Sequence, residues 1–174
     1  LISVLLGLAM GSGTVFSLHY GAGNHVALRR SIFSSFVLIG IGTLILNVAV
    51  FIWLDPILRL LQVPQDIYGM MRSYLWIIFC GIVFTFIYNF YASLLRAVGD
   101  SVTPLWFLAV SVVLNIALDL FFILQLDWGI QGAAAATVLA QGVAALGIII
   151  YTYRRRPELR WHHEDMCFDR TCLK

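Results

Sequence analysis

Residues 112–124 read VVLNIALDLFFIL, and this stretch decides the fold. Every position is apolar except Asn115 and Asp119. The run is too long and too continuously apolar for a half-buried strand, and its length suits a helix. Together with its flanks, residues 104–126, it reaches the ~20 residues a helix needs to cross a bilayer. Asp119 is the exception that gives the stretch meaning. A carboxylate at that depth costs ~2.5–3.5 kcal/mol on insertion scales, so it is either satisfied by a partner or put to use.

The rest of the chain agrees. Of its 174 residues, 61% are hydrophobic and 11% charged, against ~25% charged in a soluble domain. Charge-free runs delimit five spans: 1–18, 31–54, 73–95, 104–126 and 128–153. Their lengths and the absence of strict alternation favour helices over a barrel, so the expected class is an all-α polytopic membrane protein. The chain opens on Leu1 inside an apolar run, and the expectation is a fragment whose upstream part is missing.

Connections are short. Asp55-Pro56 and Val63-Pro64 are expected to break helices between spans two and three. Between spans three and four, Gly99-Asp100 makes the turn, Thr103 caps, and Pro104 takes the first helical position. Asp127 marks a very tight last connection. Arg29, Arg30, Arg96, Arg154, Arg155, Arg156 and Arg160 fall on one side, and only Arg59 and Arg72 on the other. That bias places the tail, residues 154–174, in the cytoplasm. The densest basic run directly follows a span, and nothing resembles a nucleic-acid patch. Cys167 and Cys172 with His162 and His163 fit no standard zinc signature.

Depth supplies partners for Asp119. At ~1.5 Å per residue, Asp119 lies about 10 Å below the outer boundary, and Thr137 on the next helix about 13 Å. The tight connection makes those helices antiparallel neighbours. Asn115 is one turn from Asp119 on the same face, as Gln141 is from Thr137. Two polar stripes therefore face one another. Asn47 reaches a comparable level from span two. Residues 132, 136, 140 and 144 are Gly, Ala, Ala and Ala, a row that lets helix backbones approach closely. The bland alternative is that Asn47, Thr85 and Asn89 are interhelical glue, worth ~0.6–2 kcal/mol. An acid beside Asn and Thr oxygens suits a proton carrier and a hard cation such as Na+ equally.

At this point the chain resembles the multidrug and toxic compound extrusion (MATE) family. The resemblance rests on HYGAGNHVALRRSI at 19–32, SLLRAVGDSVTPL at 93–105, LNIALDL at 114–120 and GIQGAAAATVLAQ at 129–141. It implies that the five spans are helices two to six of a twelve-helix, two-bundle protein, with helix one and the C-terminal bundle normally on the same chain. It implies secondary active efflux of organic cations or amphipathic compounds in exchange for Na+ or H+, and no enzyme activity or bound cofactor. The coupling-ion site, holding Na+ or a proton, would be Asp119, Asn115 and Thr137. Asn89 would line the substrate cavity, which Asn47 and Gln141 are also expected to border. Leu120 departs from the family pattern, since many members place Pro there. Two other readings stay open: a lipid-linked oligosaccharide flippase of related fold, and an inactive half-transporter. A membrane-embedded enzyme would need acid/base pairs or metal ligands at one depth, and the spans hold one Asp, no Glu and no His.

Overall fold

The computed structural model describes residues 2–159. Five helices follow one another: α1 (Ile2–Gly21), α2 (His25–Leu60), α3 (Gln65–Ala97), α4 (Val102–Leu124) and α5 (Gly129–Arg155), with a short 3-10 turn at Pro157–Leu159. Among the described residues there is no strand. The tail's Arg160, His162, His163, Cys167 and Cys172 lie outside the described residues.

Helices α2 to α5 are each long and apolar enough to cross a membrane. The core sits where α1, α2, α3 and α5 meet, around the fully buried Phe90. Phe16 and Phe36 meet its ring edge-on, with centroids 5.9 and 5.1 Å away. In a bilayer, lipid tails are as apolar as these rings, so shape and van der Waals contact, more than the hydrophobic effect, hold such helices together.

Helix α5 is the link to the other half, because it packs against both α3 and α4. Its small-residue row is buried at Gly132, Ala136, Ala140 and Ala144. Two glycines mark where backbone space is needed. A Cβ on Gly81 of α3 would stand 2.7 Å from Val138 Cγ2 of α5, and one on Gly147 of α5 would stand 2.6 Å from Phe107 Cε1 of α4. Both helix pairs depend on that missing methyl.

Two expectations about the connections are corrected. Pro56 does not break a helix, because α2 runs through it to Leu60. Only the bond to the carbonyl four residues back is lost, and the following turn is held by Leu61 N–H to the Ile57 carbonyl at 3.0 Å. Asp55, just before the proline, is gripped by the Tyr68 hydroxyl (3.1 Å) and Arg72 (3.0 Å) of α3. The break comes at Gln62, in the left-handed region at φ 52°, just before Pro64. Nor does Thr103 cap α4. Asp100 does so, accepting from the Thr103 N–H (3.1 Å) and hydroxyl (2.8 Å). Pro104 is the third residue of α4, still in the first turn, where a missing N–H is harmless. The tight turns at Gly99 (φ 88°) and Asp127 (φ 52°) lie where expected.

Candidate functional site

Helix α4 buries little of itself. Its partly or fully covered positions are 103, 104, 107, 111, 114, 115, 118, 119 and 122. That three-and-four spacing is one stripe of a helix, and it is the stripe that meets α5. Asn115 and Asp119 both fall on it. Their side chains point into the protein seam, while Val112, Val113, Ile116 and Leu120 cover the outer face.

Within the seam, Asn115 Nδ2 donates to Thr137 Oγ1 at 3.2 Å. The Thr137 hydroxyl in turn donates to the Ala133 carbonyl at 3.0 Å. Asn115 thereby keeps its amide oxygen free of that bond. Asp119 Oδ1 is buried and has no hydrogen-bond partner. Orphaned acceptors at low dielectric are costly. Asn115 stands one turn from Asp119 on the same stripe of α4, so the open oxygen and the Asn115–Thr137 bond share one seam.

The register differs from the depth estimate by about one turn. Thr137 pairs with Asn115, and Asp119 stands nearer the level of Ala133 and Ala134. The reason lies in the connection. Helix α4 ends at Leu124 and α5 begins at Gly129, so residues 125–128 contribute no helical rise. Counted from the true ends, Asp119 is five residues in, matching residue 134.

The two members of the α5 stripe part company, because Gln141 turns to α3 where Thr137 turns to α4. Gln141 Oε1 accepts from the Thr85 hydroxyl of α3 at 2.8 Å, rather than from α4. Thr85 also lies 3.2 Å from the Gly81 carbonyl of its own helix. Asn89 Nδ2 donates to the Thr85 carbonyl at 2.8 Å. Two cavities flank this pair. One of about 200 Å³ is lined by Asn89, Ser111, Tyr88, Leu108 and Ala144 besides Thr85 and Gln141. The other, about 90 Å³, includes Thr137, Val138, Gly81 and Ile82 with the same Thr85 and Gln141. Asn47 borders neither. Its Nδ2 donates to the Phe79 carbonyl at 2.9 Å, joining α2 to α3.

Sequence reasoning placed Thr85 only as interhelical glue. Its four-residue spacing from Asn89 was the available signal for a polar stripe on α3. At the arginine-rich end, Asp100 is a hub, where the spacing of the chain had shown only a turn residue. Besides Thr103 it accepts from the Tyr151 hydroxyl at 3.3 Å, with Arg156 Nη2 at 4.0 Å. Burial pushes its carboxyl upward, but the Thr103 and Tyr151 bonds and the Arg156 charge outweigh that and hold it below its ordinary value.

Five antiparallel-connected apolar helices, with an orphaned acid oxygen between two of them, define a polytopic membrane protein with a polar seam. The chain belongs to the MatE family, whose model matches residues 1–121. It is 38% identical over 156 residues to the probable multidrug resistance protein YpnP of Bacillus subtilis (strain 168), covering 89% of this chain and 35% of that protein. A solved inward-facing multidrug resistance MATE family transporter of the MOP superfamily matches with a TM-score of 0.92 at 23% identity, over 99% of this chain and 39% of that one. An outward-facing structure, also of a MATE family transporter, matches at 0.90 and 23% identity, over 99% and 38%. At that identity these structures establish the fold. The chain spans about a third of the length of the curated relatives it matches.

Proposed function

We propose that this chain is part of a secondary active multidrug efflux transporter, exchanging organic cations or amphipathic compounds for Na+ or H+. The observation that carries the reading is the buried, partnerless Asp119 Oδ1 beside the Asn115–Thr137 bond. The family membership and the multidrug resistance relative support a drug-like substrate.

Asp119 binds the coupling ion, and Asn115 Oδ1 and Thr137 Oγ1 complete its coordination or hold the proton. An ion moves a conformational equilibrium only by binding one state better than the other. A seam between two closely packed helices provides this, since a small shift of α5 against α4 changes the distance between the ligands. The likeness to both inward- and outward-facing chains supports a unit that keeps its fold while the transporter alternates. The arginine-rich end lies in the cytoplasm of a cell membrane, as the basic-residue bias favours. The larger cavity, beside Asn89 and Gln141, receives the substrate.

The test is ethidium efflux from cells expressing the full reading frame that carries this chain. Asp119→Asn is expected to abolish ion-driven efflux at wild-type surface expression. Undiminished efflux would falsify the assignment.

A further inference from the structure

The two cavities have two lining residues in common, and those two are hydrogen-bonded to each other. Thr85 and Gln141 are the residues that line both of them. On one side lies Thr137, the α5 member of the proposed ion site. On the other lies Asn89. Both spaces exceed the ~10–15 Å³ needed to hold a water, and both offer polar partners at this pair.

The chemistry of the bond makes it easy to exchange. The Thr85 hydroxyl has one proton and two acceptors within reach, Gln141 Oε1 at 2.8 Å and the Gly81 carbonyl at 3.2 Å. If the Gln141 amide turns away, the proton passes to Gly81 and no buried donor is orphaned. The usual penalty for breaking a buried hydrogen bond is the desolvated group left behind. Here the backbone of α3 removes it. Gln141 is also the residue one turn from Thr137 on α5. The bond to Thr85 thus anchors the turn of α5 that must hold Thr137 within 3.2 Å of Asn115. The anchor works because α3 and α5 pack closely there, with the Val138 side chain seated on the bare backbone of Gly81.

We infer that Thr85 and Gln141 form a ligand-responsive latch between the substrate cavity and the ion site. With the latch closed, Gln141 is held by Thr85, Thr137 is in register with Asn115, and the ion binds. A substrate bearing a hydrogen-bonding group in the larger cavity takes over the Gln141 amide. Thr85 falls back on Gly81, the small cavity opens to the large one, and that turn of α5 is released. Ion and substrate then oppose one another through a single side chain, as an exchanger requires. Thr85 is a positioning residue in this scheme and does not touch the ion.

The inference rests on the proposed function, and the experiment separates the two. The full-length protein is reconstituted in liposomes, and ethidium efflux is measured against Na+ at fixed pH and against pH at fixed Na+. Thr85→Val keeps the shape and removes the hydroxyl. It is expected to raise the half-saturating concentration of the driving ion about threefold to tenfold, what one hydrogen bond of ordinary net strength is worth. Thr85→Ser should restore the wild-type curve. Gln141→Met, which also removes the latch, should shift the ion curve the same way and serves alone if Thr85→Val does not give a monodisperse protein. Ion curves for Thr85→Val and Gln141→Met that overlay the wild type overturn the latch. An Asp119→Asn protein with normal efflux overturns the proposed function instead, whatever the latch variants do.

Discussion

Asp100 and Asp119 stand at opposite ends of the same helix and have opposite fates. Asp100, at the arginine-rich turn, is saturated by two bonds from Thr103, one from Tyr151 and the nearby charge of Arg156. Asp119, deep in the α4–α5 seam, has an oxygen with no partner at all. Both side chains are partly covered, so the contrast lies in their partners and not in their exposure. Asp100 is satisfied by the protein, and Asp119 is left with one buried oxygen open. A satisfied acid fixes structure. An open one is stable only when something else arrives.

The comparison breaks most readily at Asp119. Replacing it with Asn should lower ion-driven efflux at least about tenfold, the loss of ~1.4 kcal/mol or more of ion binding. The same change should leave thermal stability unchanged or raised, because it removes an uncompensated buried charge. A fall in the melting temperature would mean that Asp119 is structural after all. Asp100→Ala should do the reverse, costing about 1–2 kcal/mol of stability through the lost cap while leaving the ion dependence of efflux alone. Thermal unfolding in detergent, set beside the transport assay, tests both.

The Asp100 contribution also has a predicted pH range. Its carboxyl is held below the ordinary value in the folded protein, so the stabilisation is complete above the unfolded value near ~4 and is lost as pH falls through the folded one. The stability difference between wild type and Asp100→Asn should stay flat from neutral pH down to about 5 and shrink only below about 4. A difference that already fades near pH 6 would contradict the hub. The smallest effect is at Tyr151→Phe, which removes one 3.3 Å bond and should cost about 0.5 kcal/mol.

Much of this was legible in the sequence, for physical reasons. Apolar length set the helices, and the short Asp127 connection made α4 and α5 antiparallel neighbours. Four-residue spacing then put Asn115 with Asp119, and Thr137 with Gln141. Two things were not legible. Non-helical residues 125–128 shifted the register by a turn, so Thr137 met Asn115 rather than Asp119. Loop lengths say nothing about which helix lies on the far side of α5, so the Thr85 partner of Gln141 was hidden until α3 was seen there. Pro56 misled because a proline ends a helix only where nothing else holds the turn, and Asp55 is held by Tyr68 and Arg72.

Helix α2 has 36 residues, roughly 54 Å at 1.5 Å each, against a hydrocarbon core of about 30 Å. With α3 it forms a pair that outreaches the bilayer, tied near its tip by Asp55, Tyr68 and Arg72. Such a pair is a handle. An antibody fragment or a spectroscopic label placed there would add mass or signal well away from the α4–α5 seam, and would let an observer follow the bundle's tilt without touching the groups that do the work.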